Sequence, residues 1–302
     1  MSVRRGTYSI VARDSQSGEL GVAVQSHWFS VGSIVTFARA GVGAVATQSV
    51  AEPAYGPRLL DALSSSEPVD RALGRLLAAD EQAKFRQVAA VDADGSVAVH
   101  TGEGCMPYAG DVVGNGFSAQ ANLMASPEVW PAMAEAFETA EGPLSRRLLA
   151  ALLAAEGAGG DVRGKQSAAL LVVPPEGESW SKVVELRVED DPDPLAELER
   201  LLGLHDAYEL ADRGDELVGE GHHAEAAEHY ARAAELAPGN AELSFWAGLG
   251  IAQGGDLDGG VERVRAALAE HDGWRQLLAR VDTDIAPAAD AVAEALGIER
   301  EG

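Results

Sequence analysis

Thr7 follows Gly6 near the start of the chain, in the stretch RRGTYS. A threonine at a mature N terminus supplies two catalytic groups, because its hydroxyl attacks a carbonyl carbon while its free α-amine takes the hydroxyl proton. The reference pKa of an α-amine is about 7.7 to 8.0, far below the roughly 10.4 of a lysine amine. This chemistry requires cleavage between Gly6 and Thr7, since the Thr7 nitrogen is otherwise a non-basic amide.

Gly6 suits such a cleavage. A glycine before the scissile bond leaves the backbone unhindered and free to adopt the strained conformations that favour an N-to-O acyl shift. The segment MSVRRG is then either a removable leader or an over-extended start, and we expect Ser2 to Gly6 to make few core contacts. The alternative is a threonine that β propensity alone favours at the start of a strand.

An N-terminal-nucleophile (Ntn) site also needs hydrogen-bond donors for the oxyanion of the tetrahedral intermediate. Asn122, in the stretch SAQANLM, is the first candidate because an amide at a strand end can point its NH₂ group at a substrate carbonyl. Gln48 ends another predicted strand and can orient the α-amine or bind a substrate amide. Both residues can equally be polar residues that only terminate their strands.

Two arginines are candidates for substrate recognition, because a guanidinium binds a carboxylate through two parallel hydrogen bonds. Arg39 precedes a glycine-containing turn, and Arg163 follows Asp161 in the stretch GDVRGKQS. Either arginine can select an acidic or amino-acid-like substrate, although Asp161 and Arg163 can instead form a structural ion pair. The predicted catalytic residues are Thr7 and Asn122, and the predicted substrate-binding residues are Arg39, Gln48, Asp161 and Arg163.

The elements that must position these residues alternate in blocks. Short runs rich in Val, Ile and Thr, bounded by turns that contain glycine, predict antiparallel strands in three blocks. The predicted strands lie in residues 7–14, 20–26, 33–39 and 42–48, then in a hairpin over 86–102 and a strand over 116–124, and finally in residues 166–173 and 182–188. Two pairs of helical patterns separate the three strand blocks. This order predicts an α+β domain over residues 1–190, with helices covering both outer faces of two stacked sheets, that is, a four-layer αββα sandwich.

Several blocks of the first domain resemble a known family. They include YSIVARDSQSGELGVAVQSHWFSVGS, ARAGVGAVATQSVAEPAYGPRLLDAL and GDVRGKQSAALLVV, and together the matching blocks span roughly Thr7 to Leu202. They are similar to the bacterial and archaeal domain of unknown function 1028, within the Ntn-hydrolase superfamily. The resemblance implies an αββα fold and an amide hydrolase of unnamed substrate. It also implies a start at or next to Thr7, whereas this chain has five residues after its Met.

The C-terminal third is predicted to be helical throughout. Asp190 to Pro194 is a predicted linker, so the predicted boundaries are residues 191–204 for a linker and connecting helix and residues 205–302 for a second domain. A 34-residue spacing relates its two halves and resembles tetratricopeptide repeats, whose signature positions here are Leu210, Gly214, Leu217, Ala226, Tyr230, Ala233 and Pro238. Stacked helix pairs of this type bind protein partners or support dimerisation, although a plain helical bundle is the alternative.

Charge and composition exclude several functions. The chain carries a formal net charge of -25, and residues 205–302 contain 21 acidic and 7 basic side chains, which repel nucleic acids and anionic membranes. The single cysteine, Cys105, excludes an internal disulfide, and no Cys/His spacing suggests zinc. We expect no metal and no other cofactor. We also expect a cytoplasmic location and a homodimer.

Two functions remain open from the sequence. One is an Ntn amidohydrolase that acts on a small amide or an amino-acid derivative. The other is a catalytically silent Ntn-like domain that binds a small ligand and carries a tetratricopeptide interaction scaffold for a protein partner. The two differ in whether Thr7 is the mature N-terminal residue.

Overall fold

The structure of the protein, a computed structural model, describes residues 6–301. The chain divides into two compact units, Met1–Glu199 and Arg200–Gly302. The first unit mixes α-helices with two antiparallel sheets, and the second is helical. The prediction of a mixed α and β region with antiparallel sheets, followed by a helical C-terminal region, is therefore confirmed.

The first unit contains a six-stranded and a four-stranded sheet. The strands are β1 (Thr7–Arg13), β2 (Leu20–Ser26), β3 (Thr36–Arg39), β4 (Gly43–Ser49), β5 (Arg86–Asp92), β6 (Val97–Thr101), β7 (Gly110–Gly114), β8 (Phe117–Asn122), β9 (Ser167–Val173) and β10 (Val184–Val188). Strand order is β10-β9-β2-β1-β8-β7 in the larger sheet and β3-β4-β5-β6 in the smaller. Strand β1 is therefore central, with β2 and β8 as its two antiparallel neighbours.

Helices accompany the sheets in pairs. In the first unit they are α1 (Gly32–Val35), α2 (Tyr55–Ser64), α3 (Val69–Ala78), α4 (Val129–Thr139) and α5 (Leu144–Gly157). Helices α4 and α5 pack on strands of the larger sheet, and α2 and α3 pack on strands of the smaller. The other faces of the two sheets meet, because Val11, Val22 and Val24 share one buried core cluster with Ala46 and Ala89. Each sheet therefore has helices on one side and the other sheet on its opposite side.

The alternation of β1 decides which side chains lie between the sheets. Successive strand residues point to opposite faces, so Thr7 and Ser9 share the face of Val11, which belongs to the core between the sheets. Tyr8 points the other way and donates a hydrogen bond from its hydroxyl to Glu156 Oε2 of α5, at 2.9 Å. Thr7 therefore begins β1 on the face that looks toward the second sheet.

The layer between the sheets is apolar at one end and polar at the other. Eight hydroxyl and amide side chains form the polar end, each no more than 1% exposed: Thr7, Ser9, Ser26, Gln48, Gln87, Ser118, Gln120 and Asn122. On strands β1, β2, β4 and β5, the polar side chains lie on the same face as the residues of the apolar core, because every second residue of a strand points the same way. The three members on β8, which are Asn122, Gln120 and Ser118, lie directly opposite Thr7, Ser9 and Val11.

Helix α2 packs so closely on β3 that its first turn requires glycine. A Cβ added to Gly56 would lie 2.2 Å from Cγ of Phe37, which is closer than van der Waals contact allows. We expect Gly56→Ala to destabilise the protein by about 1–3 kcal/mol through overpacking. Gly74→Ala in α3 is the matched control, because a Cβ there meets nothing within 4 Å and should stabilise by about 0.5–1 kcal/mol.

Thermal unfolding of the two variants beside the wild-type chain tests this packing. The expected order of midpoints is Gly74→Ala highest and Gly56→Ala lowest. A Gly56→Ala protein that unfolds with the wild-type midpoint would contradict the prediction, since it would mean that Phe37 moves aside without cost.

The second unit consists of helices joined by short turns. Helix α6 (Pro194–Gly219) crosses the boundary between the units, and it is followed by α7 (His223–Leu236), α8 (Ala241–Gln253), α9 (Leu257–Glu270), α10 (Gly273–Arg280) and α11 (Ala289–Leu296). Phe245 of α8 and Val264 of α9 lie in a buried cluster that includes Leu278 and Val292. Across residues 6–301, no helix is both long and apolar enough to cross a lipid bilayer.

Candidate functional site

The peptide bond between Gly6 and Thr7 lies at the polar end of the layer between the sheets. Thr7 is 1% exposed and Gly6 is also buried. The expectation that Ser2 to Gly6 make few core contacts is wrong for Gly6, because its carbonyl is enclosed by hydrogen-bond donors, while Ser2 to Arg5 lie outside the described residues. The Gly6 carbonyl is therefore part of the site rather than a solvated connection to it.

Three side chains surround the Gly6 carbonyl oxygen. Thr7 Oγ1 lies 2.6 Å from it, Ser26 Oγ lies 2.5 Å from it, and Arg163 Nη2 donates to it at 2.8 Å. The two hydroxyl oxygens are themselves 3.1 Å apart. Since each hydroxyl has one proton, Ser26 and Arg163 together suffice to satisfy the carbonyl oxygen, and the Thr7 proton can be shared with Ser26. Hydrogen bonds to this oxygen withdraw electron density from the carbonyl carbon and make that carbon more electrophilic.

Ser26 faces Thr7 because of the β1–β2 hairpin. Tyr8 pairs with Gln25 in this hairpin, so the next position along the register brings Ser26 opposite Thr7. On the other side of β2, Ser26 pairs with Ser167 of β9 in the sheet register. Ser26 was not among the residues predicted from sequence, although the turn after β1 and the equal lengths of β1 and β2 indicate this pairing.

Asp161 and Arg163 reach the site through a short stretch of β pairing beyond β8. Asp161 forms an isolated antiparallel bridge with Met124, and the Val162 amide donates to Leu123 O at 3.2 Å. Because β8 ends at Asn122, opposite Thr7, this bridge carries Asp161 to the beginning of β1. The predicted residues Thr7, Asn122, Asp161 and Arg163 are therefore brought together.

The Asp161 carboxylate is buried, with a side chain 0% exposed, and it accepts four hydrogen bonds. Its Oδ1 atom accepts from the amide and Nε of Arg163, at 2.9 and 3.0 Å. Its Oδ2 atom accepts from Arg163 Nη2 at 2.7 Å and from the His27 amide at 3.3 Å. Asp161 thus fixes the guanidinium in the orientation that directs Nη2 at the Gly6 carbonyl, and the positive charge of Arg163 balances the buried carboxylate.

Gln48 and Asn122 contact the other carbonyl of the site, that of Thr7. Gln48 Nε2 and Asn122 Nδ2 donate to Thr7 O at 3.3 and 3.4 Å. Both amides also donate to Gln87 Oε1, at 2.8 and 2.9 Å. Gln87 was not predicted from sequence, yet its side chain joins the two sheets beneath Thr7. The two N–H groups of Asn122 are therefore both engaged inside the layer, away from the Gly6 carbonyl.

Arg39, by contrast, makes its contacts on the outer edge of the smaller sheet. Its Nη2 atom forms an ion pair with Asp61 at 2.9 Å, and Nη1 donates to Ser64 Oγ at 2.9 Å, both on α2. The structure does not bring Arg39 to the cluster around Thr7. Within the described residues, no group of three or more His, Cys, Asp and Glu side chains is arranged to hold a metal ion.

The fold and site together define a mixed α/β protein with two facing antiparallel sheets and a buried threonine at the start of a central strand. Residues 7–198 match the family of unknown function DUF1028. The chain belongs to this family, and the matched region begins at Thr7.

One of two similar solved structures has the same family label. A DUF1028 protein from Silicibacter pomeroyi is 34% identical, with a TM-score of 0.61 over 65% of this chain and 84% of that one. Anbu, an ancestral β-subunit from Yersinia bercovieri, is 12% identical, with a TM-score of 0.33 over 65% of this chain and 93% of that one. No curated protein matches the chain.

Proposed function

We propose that the first unit is an Ntn amidohydrolase with Thr7 as its nucleophile, acting on a small amide or an amino-acid derivative. The observation that carries the proposal is the environment of the Gly6 carbonyl. Its oxygen accepts from Arg163 and Ser26 and lies 2.6 Å from Thr7 Oγ1. An oxyanion formed by attack on this carbonyl would therefore have two hydrogen-bond donors, and the Thr7 hydroxyl lies beside the same carbonyl.

Self-cleavage would proceed as an acyl shift. Thr7 Oγ1 forms a bond to the Gly6 carbonyl carbon, its proton passes to the departing Thr7 nitrogen, and the Gly6–Thr7 amide bond breaks. The ester that results is hydrolysed by water, which releases a new carboxylate at Gly6 and returns the hydroxyl to Thr7. Arg163 Nη2 and Ser26 Oγ stabilise the negative charge on the carbonyl oxygen in both steps.

Turnover of a substrate repeats this chemistry with the freed α-amine as the base. The amine takes the Thr7 hydroxyl proton as Oγ1 attacks the substrate carbonyl and then gives it to the departing amine. Water hydrolyses the acyl-enzyme ester. Asn122 and Gln48 hold the Thr7 carbonyl, so we assign them a positioning role and assign the oxyanion donors to Arg163 and Ser26.

The layer order also supports the proposal. Two facing sheets with helix pairs on their outer sides are the arrangement of the αββα Ntn-hydrolase sandwich that the sequence predicts, and we assign this fold to the first unit. In this assignment the nucleophile begins a central strand, which is where β1 carries Thr7.

The competing function is a catalytically silent domain that binds a small ligand. One observation favours the absence of catalysis: Thr7 is 1% exposed, so its hydroxyl is closed to a substrate while the Gly6–Thr7 bond is intact. Intact mass separates the two functions, because the hydrolase requires Thr7 at the mature N terminus. A screen of amide substrates on the mature protein, with Thr7→Ala as control, then tests activity directly.

The hydrolase should show a distinctive pH profile. We expect kcat/KM to rise with pH through an apparent pKa at or below about 8, because the α-amine must be neutral to accept the hydroxyl proton. The measurement is kcat/KM from pH 5 to 10 for the mature protein. A rate that falls across this range would contradict an amine base.

For the second unit we propose tetratricopeptide-like repeats. Helices His223–Leu236 and Leu257–Glu270 start 34 residues apart and end 34 residues apart, which is the repeat length of that family. The glycine contacts also recur: a Cβ on Gly214 would meet the ring of Tyr230, and one on Gly248 would meet Val264. We propose that this unit binds a protein partner or supports a homodimer, which light scattering tests.

The repeat packing predicts a selective effect of alanine. Gly214→Ala should destabilise the second unit by about 1–3 kcal/mol, because the added Cβ would lie 2.6 Å from the Tyr230 ring. Gly219→Ala in the same helix is the control, since nothing lies within 4 Å of its Cβ. Helical circular dichroism followed through thermal unfolding measures both. Equal midpoints for the two variants would argue against close packing of Gly214 on Tyr230.

A further inference from the structure

We infer that the acyl site of Thr7 accepts N-acylglycyl groups and rejects acyl groups with a carbon branch on the side of Asp161. The inference rests on the proposed hydrolase function and specifies its substrate class. Gly6 is itself the acyl group transferred to Thr7 in self-cleavage, so its position marks where the acyl group of a substrate ester lies. The surroundings of the Gly6 α-carbon therefore define which acyl groups fit.

The Asp161 carboxylate closes one side of this position. A Cβ built on Gly6 would lie 2.7 Å from Asp161 Oδ2, 2.8 Å from Oδ1 and 2.9 Å from Cγ. Carbon atoms do not approach oxygen this closely without displacing it. An L-configured side chain at the acyl α-carbon, in the orientation of Gly6, thus requires Asp161 to move.

Asp161 is held against such movement. Its two oxygens accept four hydrogen bonds, three of them from Arg163 and one from the His27 amide. The side chain is 0% exposed, so displaced bonds are not replaced by water at an open surface. A branch at the acyl α-carbon therefore either leaves the carboxylate poorly bonded or fails to bind.

The same ion pair supplies the oxyanion donor. Arg163 Nη2 donates to the Gly6 carbonyl at 2.8 Å and to Asp161 Oδ2 at 2.7 Å. A substrate that pushes Asp161 aside consequently also displaces the donor that stabilises the transition state. Selection against branching should for this reason appear in kcat as well as in KM. The Gly6 nitrogen is acylated by the preceding chain, which is why the inferred class is N-acylglycyl rather than free glycyl.

The test compares two substrates that differ by one methyl group. The mature protein beginning at Thr7 is obtained by self-cleavage, or from a gene that lacks residues 2–6 and whose initiator Met is removed after translation. It is assayed with N-acetylglycyl and N-acetyl-L-alanyl 4-nitroanilides. We expect kcat/KM to be about 10- to 200-fold higher for the glycyl substrate. Gly6→Ala in the full chain should slow self-cleavage by a similar factor.

Two Asp161 variants separate the steric effect from a general loss of structure. Asp161→Asn keeps the size of the side chain and should keep the preference for glycyl. Asp161→Ser removes the obstructing atoms, so the ratio of the two kcat/KM values should fall toward one even though both rates decrease. This ratio is insensitive to the fraction of active protein.

The outcomes distinguish this inference from the proposed function. Equal kcat/KM values for the two substrates in the wild-type mature protein would overturn the inference and leave a Thr7 hydrolase intact. A mature Thr7 protein that cleaves neither substrate would also overturn it, because measurable glycyl turnover is expected. Hydrolysis that persists unchanged in Thr7→Ala would instead overturn the proposed function.

Discussion

Replacing Thr7 by alanine should leave the chain at full length and without amidase activity, whereas the wild-type chain should be found with Thr7 as its first residue. The reason is that Oγ1 is the only proposed nucleophile, and it lies 2.6 Å from the Gly6 carbonyl oxygen. Removal of a hydrolase nucleophile costs on the order of 10⁶-fold in kcat. Intact mass measures the cleavage, and steady-state hydrolysis by a form lacking residues 1–6 measures the activity.

Two further variants at this position serve as controls. Thr7→Ser keeps the hydroxyl and should still be cleaved. Thr7→Val keeps the shape of the buried side chain but lacks the hydroxyl, so it should behave like Thr7→Ala without leaving a cavity. Circular dichroism should be unchanged in all three. Cleavage at Gly6 in Thr7→Val would show that another group performs it.

Loss of the Arg163 guanidinium should slow self-cleavage and turnover by about 10²- to 10³-fold, the usual effect of removing one oxyanion donor. Arg163→Met should also destabilise the fold by roughly 3–5 kcal/mol, because the carboxylate of Asp161 would remain buried without its partner. Arg163→Lys keeps a charge but cannot bind both Asp161 oxygens and the Gly6 carbonyl in one plane, so we expect only partial rescue. Cleavage time courses and urea unfolding measure the two effects separately.

The double variant Asp161→Asn/Arg163→Met distinguishes catalysis from stability. It contains no unpaired buried charge, so the free energy of unfolding should return toward the wild-type value. The oxyanion donor is still missing, and cleavage should therefore stay slow. If the double variant recovered the wild-type cleavage rate, Arg163 would be a structural residue and Ser26 alone would serve the carbonyl.

Much of the first unit was predictable because its strands have local signatures. Strands β1, β2 and β4 follow apolar, β-branched runs that are bounded by turns. The predicted strand over Ser33 to Arg39 is wrong in its first half, since Gly32–Val35 is a helical turn whose Ser33 hydroxyl bonds to Ser30 O at 2.7 Å. Strand β7 was not predicted, because its five residues begin and end with glycine.

The candidate site was less predictable because its contacts join distant parts of the chain. Asp161 reaches Thr7 through a single bridge to Met124, and no local pattern encodes that bridge. Ser26 has the register of the β1–β2 hairpin as a signal, and Gln48 and Gln87 are register partners on β4 and β5. The bonds that Gln48 and Gln87 donate to the larger sheet, by contrast, form only after the two sheets have packed. Arg39 was selected because a guanidinium can bind a carboxylate and because it precedes a glycine-containing turn, and the carboxylate that it contacts is that of Asp61 on α2.

The polar end of the layer between the sheets has a mechanical consequence. Where Val22, Ala46 and Ala89 meet, the sheets are joined by non-directional packing, which tolerates small sliding movements. Where Gln48 and Gln87 donate to the Thr7 and Ala121 carbonyls of the opposite sheet, hydrogen bonds fix both distance and angle, so the sheets cannot shear there without breaking them. A substitution that changes the volume of a side chain in the apolar half can therefore be accommodated by a small rotation of one sheet relative to the other, about the hydrogen-bonded polar end. We therefore expect the atoms around Thr7 to move least.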